Sequence, residues 1–272
     1  MLQFFNVHSA YSQSTLQDVH KLLKDADSLG LHQKYSDAIN LYDKVLAIEP
    51  NNTRALNSRG LALIDLGKNQ EAITYFDKVL AIDPKDIAGL NNKGFALIHL
   101  GKYEDAITYL DKVLVIEPNQ PNALNNKGIA LGHLGKDEEA ITYFDKILAI
   151  EPNNIKALHN KGLSLDYLKK YGEAITYYDK VLAIDPKSID TLNNKAFALV
   201  HLGKYDEAIT YLDKVLAIDP KDIAGLNYKG LALFHLGKYN EAITYFDKVL
   251  AIDPNNTRAL KAKELTLSLG KQ

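Results

Sequence analysis

Apolar residues recur along this chain with the spacing of helices. In residues 53–86, Leu56 and Leu63 lie seven positions apart and share one helical face. Ala72 and Phe76 lie at i and i+4 and define the apolar face of a second helix. No segment shows the sustained period-two alternation of a half-buried strand. The pattern therefore predicts pairs of amphipathic helices and an all-α fold.

A period of 34 residues organises these helix pairs. Seven of the eight prolines follow it: Pro50, Pro84, Pro118, Pro152, Pro186, Pro220 and Pro254. Proline lacks the backbone N–H and disfavours helical geometry in the preceding residue, so each ends the second helix of a pair. The predicted repeats are 19–52, 53–86, 87–120, 121–154, 155–188, 189–222 and 223–256.

Residues that favour helix ends fall at fixed places in each repeat. Gly67 follows the first helix, where glycine can take positive φ, and Gly101, Gly135, Gly203 and Gly237 are its equivalents. Two residues after each proline stands a helix-capping residue: Asn52, Asp86, Asn154, Ser188, Asp222 or Asn256. Gln120 is the exception, and there Pro121 takes the first helical position, which proline favours.

This helix–turn–helix unit resembles the tetratricopeptide repeat. The matching residues are a small residue such as Gly60, a tyrosine such as Tyr103 before the second helix, an alanine such as Ala72 within it, and the terminal proline. The family's tryptophan position is leucine here, as at Leu56. The resemblance covers residues 19–256 and implies a right-handed α-solenoid superhelix. It further implies a concave groove, lined mainly by the first helices, that binds a protein or peptide partner.

The two ends of the chain differ from the repeats. Residues 257–272 repeat the first-helix pattern with Lys261 and Lys263 on the outward side, which predicts a helix that caps the last stacking face. Residues 1–18 are interpreted as a leader and the start of the first helix. Residues 1–14 lack lysine and arginine, which makes a poor secretory signal. We expect a cytoplasmic protein, or an exported one if residues 1–14 are the remnant of a signal.

Composition excludes several classes of function. A net charge of −2 argues against a dedicated nucleic-acid binder, and no stretch approaches the ~20 apolar residues of a membrane span. Without cysteine there are no disulfides and no thiolate chemistry. No phosphate loop, GxSxG or HExxH motif is present, so we expect no enzyme and no cofactor. Aspartates such as Asp77, each followed by lysine, are interpreted as a solvated outer face.

Asparagines on the first helices suggest a binding surface. One per repeat stands at Asn92, Asn126, Asn160 and Asn194, and the preceding position adds Asn91, Asn125 and Asn193. A carboxamide both donates and accepts, so it can pair with the main chain of an extended peptide. The series resembles the asparagine ladder of peptide-binding tetratricopeptide proteins. The alternative is that these amides cap or bridge neighbouring helices.

Apolar side chains follow the amides at helical spacing. Phe95, Ile129 and Phe197 come three residues after an amide. A further three residues on, the apolar series Ile64, Ile98, Val200 and Phe234 is interrupted by Gly132 and Asp166. We expect an apolar stripe beside the amides, because a contiguous exposed apolar strip usually marks a binding surface. Part of this stripe must pack between repeats as ordinary core.

Histidines form a third series. They are His99, His133, His201 and His235, with Tyr167 in the gap. Adjacent helices pack ~10 Å apart, whereas zinc needs three or four ligands at ~2.0–2.1 Å. We therefore expect no metal site, and interpret these side chains as part of the groove lining, with plain polar packing as the alternative.

Two classes of function fit these patterns. The favoured hypothesis is a non-catalytic scaffold that binds an extended peptide or an amphipathic helix. A carboxylate-tail receptor fits only in altered form. The alternative is self-assembly, either head-to-tail through near-identical repeat ends or through a leader whose Leu2, Phe4 and Phe5 occupy the groove in cis or from a neighbouring chain.

Overall fold

The computed structural model describes residues 2–270, with side chains from Leu16 onward. These residues form fifteen helices and confirm the all-α solenoid of helix–turn–helix repeats. The helices are α1 Leu2–Leu31, α2 Tyr35–Ile48, α3 Thr53–Asp65, α4 Asn69–Ile82, α5 Ile87–His99, α6 Tyr103–Ile116, α7 Pro121–His133, α8 Asp137–Ile150, α9 Ile155–Tyr167, α10 Tyr171–Ile184, α11 Ile189–His201, α12 Tyr205–Ile218, α13 Ile223–His235, α14 Tyr239–Ile252 and α15 Thr257–Leu269. The hypotheses about Leu2, Phe4 and Phe5 concern side chains outside the described ones. None of the described helices has the length and apolarity that crossing a membrane requires.

The turn within each repeat follows the sequence signals. Gly67 has a φ of 75°, and Gly101, Gly135, Gly203 and Gly237 have φ between 71° and 75°. This confirms the predicted turn, since glycine takes positive φ without a Cβ clash. At two turns a residue other than glycine adopts the same backbone conformation: Gln33 has φ 59° and Lys169 has φ 61°.

The caps of the first helices differ from the prediction at two places. The Asn52 side chain accepts a hydrogen bond from the N–H of Ala55 at 2.9 Å, as predicted. Gln120 is no exception, because its Oε1 accepts from the N–H of Ala123 at 2.6 Å. Ser188 makes no cap bond, because its hydroxyl lies 2.9 Å from that of Thr191 and bonds there instead.

The chain divides into an N-terminal half, residues 1–134, and a C-terminal half, residues 135–272. In the N-terminal half Phe76 is fully buried. A Cβ on Gly60 would lie 2.4 Å from the Phe76 ring, so the missing side chain is what lets the two helices approach. In the C-terminal half a Cβ on Gly162 would lie 2.5 Å from the Tyr178 ring. Both cores therefore depend on glycine at the family's small-residue position.

Ion pairs link consecutive repeats. Lys93 binds Asp77 of the preceding repeat at 2.5 Å, and its side chain is 13% exposed against 51% for Asp77. Its Nζ lies 2.8 Å from the Tyr109 hydroxyl. Equivalent ion pairs join Arg59 to Asp43, Lys127 to Asp111, Lys161 to Asp145, Lys195 to Asp179, Lys229 to Asp213 and Lys263 to Asp247. These aspartates are about half exposed, as a solvated outer face implies, and each also binds a cation of the next repeat.

Candidate functional site

The candidate residues lie on the first helices of the repeats, and we call the surface they form in each half the first-helix face. In the N-terminal half, Asn126 of α7 donates to Asn91 Oδ1 of α5 at 3.2 Å. The Asn91 amide lies 3.5 Å from Asn92 Oδ1 on the same helix. Asn126 is buried, while Asn92 and Asn125 are half-buried. Asn126 and Asn91 thus bridge neighbouring first helices, the role that the sequence left open.

The C-terminal half contains a related polar chain. Asn194 Nδ2 of α11 lies 3.5 Å from His159 Nε2 of α9, and His159 Nδ1 lies 2.9 Å from the Thr191 hydroxyl. Burial lowers the pKa of His159, so the neutral imidazole bonds on both sides. Asn193 donates to Asp222, the cap of α13, at 2.9 Å. Asn193 is buried, whereas Asn160 and Asn194 stay half-buried at the surface.

The apolar candidates divide between surface and core. Phe95, Ile129 and Phe197 are half-buried, so each presents part of its side chain to the first-helix face. Ile64 and Val200, three residues after this position, are buried. Those two belong to the core, as the sequence allowed for part of the stripe.

The histidines stack on tyrosines of the preceding repeat. Tyr103, at the start of α6, lies parallel to His133, at the end of α7, with 4.7 Å between ring centroids. The same stack joins Tyr171 to His201 at 4.8 Å and Tyr205 to His235 at 4.9 Å. His99, which has Asn69 in place of a tyrosine, packs edge-on against Phe95 at 4.5 Å. All four histidines keep exposed edges, and no group of three or more His, Asp or Glu among the described residues could hold a metal ion.

A cavity of about 360 Å³ opens on the first-helix face of the C-terminal half. It brings together four of the candidates: Tyr167, Asn194, Phe197 and His201. The rest of its lining is Leu163, Asp166, Lys169, Tyr171 and Tyr228. Helices α9, α11 and α13 of three consecutive repeats, together with the start of α10 at Tyr171, therefore build one aromatic-rich site. The other candidates do not line this cavity.

Asp166 is the unusual residue of this cavity. It is only 9% exposed, and its Oδ2 accepts a hydrogen bond from the Tyr178 hydroxyl at 2.6 Å. Desolvation raises the pKa of the carboxyl to about 6 against the opposing effect of the Tyr178 hydrogen bond. Desolvation and the Asp166 charge raise the pKa of Tyr178 as well, so the phenol remains the donor.

A second cavity, of about 320 Å³, lies between α1, α2 and α3 in the N-terminal half. Its polar lining includes Asp27, Tyr42 and Asp65. Tyr42 donates to Asp27 at 2.7 Å, and Arg54 binds the same carboxylate at 2.6 Å. None of the candidate residues lines this cavity, and the Asp27 carboxylate is already paired with Arg54.

The candidate set omitted three residues that shape the C-terminal cavity. Asp166 shows in the sequence only as a break in an apolar series, and Tyr228 as a replacement in the asparagine series. Tyr171 occupies the family's tyrosine position before a second helix. Departure from the repeat was the available signal for Asp166 and Tyr228, whereas Tyr171 follows the repeat and gave no such signal.

The fold and the first-helix face define a helical-repeat scaffold. Tetratricopeptide repeat models match residues 119–187, 168–228 and 223–256. Together they span residues 119–256, 138 of the 272 residues. The chain belongs to the tetratricopeptide repeat family. The model of anaphase-promoting complex, cyclosome, subunit 3 matches residues 31–113, and no curated protein matches the chain.

Solved structures share this fold. A tetratricopeptide repeat protein from Parabacteroides merdae is 20% identical with a TM-score of 0.69, over 92% of this chain and 99% of that one. MamA from Desulfovibrio magneticus is 28% identical with a TM-score of 0.58, over 63% of this chain and 98% of that one. A chain of the anaphase-promoting complex hetero-tetramer Cut9–Hcn1 is 20% identical with a TM-score of 0.72, over 90% of this chain and 55% of that one. These likenesses show the fold of the chain.

Proposed function

We propose that this protein is a non-catalytic scaffold whose first-helix face binds an extended peptide or an amphipathic helix of a partner protein. The observation that carries the proposal is the cavity in the C-terminal half. It collects amide, aromatic and imidazole groups from three consecutive first helices. Sites for ligands are concave, mostly apolar and equipped with a few polar groups that fix orientation.

Two kinds of contact have distinct roles in the proposed complex. The half-buried amides of the first-helix face, such as Asn194 in the C-terminal half, hold peptide main chain, since each offers a donor and an acceptor. A hydrogen bond nets only ~1 kcal/mol, so the amides alone cannot offset the ordering of a peptide. Phe197 and Tyr228, whose rings lie 5.5 Å apart, supply the aromatic contact area.

The test begins with peptides selected from a random 12-residue library against the whole protein. Affinity is then measured by fluorescence anisotropy. Asn194→Ala combined with Phe197→Ala should weaken binding at least tenfold. Asn153→Ala removes an exposed amide in a loop of the same half and should change affinity less than twofold. Equal affinities for both variants, or failure to select any peptide, would contradict the proposal.

A second candidate function is self-assembly through α15. Leu260 and Leu267, seven residues apart on this helix, are 46% and 41% exposed. Residues at this spacing share a helical face, so the pair forms an apolar edge on which another copy could stack. Sedimentation velocity distinguishes the candidates: self-assembly predicts a mass that rises with concentration and falls to the monomer in Leu260→Glu/Leu267→Glu. A concentration-independent monomer excludes it.

A further inference from the structure

Asp166 carries a charge in a position that other repeats keep apolar or empty. The equivalent residues are Gly30, Ile64, Ile98, Gly132, Val200 and Phe234. Its partner Tyr178 stands where five other repeats have an apolar core residue such as Phe76, and where the first repeat has Tyr42. The fifth repeat therefore places a carboxylate and a hydroxyl where packing alone requires neither, and this pair lies beside the cavity.

The carboxylate is incompletely satisfied. The Tyr178 hydroxyl donates a hydrogen bond to Asp166 Oδ2, but Asp166 Oδ1 is buried and has no hydrogen-bond partner among the described residues. No ion pair joins Asp166 to a lysine or arginine in the described part of the chain. Lys169 lines the same cavity but is exposed. A buried charge is unfavourable unless it is paired and hydrogen-bonded, so the site is short of a cation.

Aromatic rings surround the same cavity. Tyr171 stacks on His201 at 4.8 Å, and Phe197 lies 6.3 Å from Tyr171 and 5.5 Å from Tyr228. Aromatic faces attract ammonium and guanidinium groups within about 6 Å. The protein already uses this contact in its core, where Lys195 Nζ lies 3.9 Å from the Tyr211 ring centroid. Burial and the neighbouring His235 lower the pKa of His201, so a neutral imidazole completes the lining.

We infer that this cavity binds a cationic side chain, lysine or arginine, of a peptide lying on the first-helix face of the C-terminal half. Asp166 is the counter-ion, and Tyr171, Phe197 and Tyr228 enclose the cation and its aliphatic stem. The inference rests on the proposed peptide-binding function and adds its specificity. A volume of about 360 Å³ lies at the small end of ligand clefts, ~300–1,000 Å³.

Other side-chain classes fit this cavity less well. A carboxylate would meet the like charge of Asp166. An aliphatic side chain would fill the aromatic part but leave Oδ1 buried and unpaired. A neutral amide could donate one hydrogen bond without balancing the charge. Only a cation interacts favourably with both the aromatic rings and the carboxylate.

The first test uses two matched probes, the capped tripeptides acetyl-Gly-Lys-Gly-amide and acetyl-Gly-norleucine-Gly-amide. Norleucine keeps the aliphatic stem and removes the ammonium. Binding to the whole protein is followed by NMR of the tyrosine and phenylalanine ring resonances. The lysine probe should bind at least fivefold more tightly than the norleucine probe. Equal affinities for the two probes would overturn the inference.

Variants assign the effect to Asp166. Asp166→Asn keeps the shape of the side chain and should abolish the preference for lysine. Asp166→Ile/Tyr178→Phe reproduces the Ile64 and Phe76 pair of the second repeat, so this variant should fold and should also lose the preference. The control Asp206→Asn removes an exposed carboxylate at the start of α12 and should retain it. A preference that survives in both Asp166 variants would overturn the inference.

The library-selected peptides separate this inference from the proposed function. If they bind and contain a lysine or arginine whose change to glutamine costs at least fivefold in wild type but not in Asp166→Asn, the inference is supported. If they bind equally well without any cationic residue, peptide binding stands and the inference fails. If none binds, the proposed function fails, and the tripeptide comparison then decides only whether the cavity selects cations.

Discussion

At the scale of single residues, the buried pair of Asp166 and Tyr178 is the feature in which this chain departs most from a uniform repeat. An apolar pair of similar volume already packs the same positions in the second repeat, at Ile64 and Phe76. The fifth repeat instead holds an acid with one unpaired oxygen. Stability is reduced by such a group, so the pair fits a binding role better than a packing role.

A double-mutant cycle measures this cost. Tyr178→Phe leaves the carboxylate without its donor and should lower the free energy of unfolding by about 1–3 kcal/mol. Asp166→Ile/Tyr178→Phe removes both polar groups and should be more stable than Tyr178→Phe, and at least as stable as wild type. Urea unfolding at pH 7 gives the four values. A double variant no more stable than Tyr178→Phe would show that the carboxylate is not destabilising.

The pH dependence of stability follows from the same group. The pKa of Asp166 rises from 3.8 to about 6 on folding, so the folded state holds the proton more tightly between these values. The contribution of Asp166 to the free energy of unfolding therefore falls as the pH rises from about 4 to 6, and it stays at its lower value at higher pH. At about 1.4 kcal/mol per pKa unit the effect is roughly 3 kcal/mol.

Comparison of two proteins isolates this contribution. The stability gap between Asp166→Ile/Tyr178→Phe and wild type, measured by urea unfolding, should be largest at pH 7 and should shrink toward pH 4. Charges that titrate elsewhere are shared by both proteins and cancel in the difference. A gap that stays constant over this range would mean that Asp166 titrates as an ordinary carboxyl.

At the scale of helices and turns, short local signals determine where each element begins and ends. The side chains of Asn52 and Gln120 cap first helices, and a residue with positive φ closes each first helix. These signals act within a few residues of chain, which explains why the sequence alone located them. Gln120 shows the limit of such signals. Pro121 at the next position suggested that no side chain would cap this helix, yet the Gln120 side chain does.

Two glycines of the C-terminal half give a matched pair for this scale. Gly203 has φ 75°, so Gly203→Ala should lower the free energy of unfolding by about 1 kcal/mol. Gly172 lies in the first turn of α10, and a Cβ there meets nothing within 4 Å. Gly172→Ala should raise the free energy of unfolding by up to about 1 kcal/mol. Thermal melts measure both, and equal effects would contradict the turn assignment.

At the scale of the whole molecule, each half is a stack of neighbours. Within each half, helices contact only those one or two positions away in the sequence. Such repeat stacks can be inferred from periodicity, because each unit needs only its neighbours to bury its apolar face. That is why the helical repeat and the all-α solenoid could be predicted without a structure.

Contacts between repeats were much harder to predict. The stack of Tyr171 on His201 joins residues 30 positions apart in different repeats. The sequence of a single repeat does not indicate such a contact. Burial of Lys195 against Asp179 was hidden because lysine usually marks a solvated face. The cavity at Asp166 arises where deviations from the common pattern in the fifth and seventh repeats, at Asp166 and Tyr228, meet regular residues of the sixth repeat. Individual candidates such as Phe197 could be chosen from the sequence, but not the site they form.

The central claim, that peptides bind on the first-helix face, is tested most directly by site-specific photocrosslinking. Tyr167, 74% exposed and lining the cavity, is replaced by p-benzoylphenylalanine. Exposed Thr210 on the second helix α12 is replaced in a matched control. Selected peptides should crosslink from position 167 and not from position 210. Equal crosslinking from both positions, or crosslinking from 210 alone, would contradict the account.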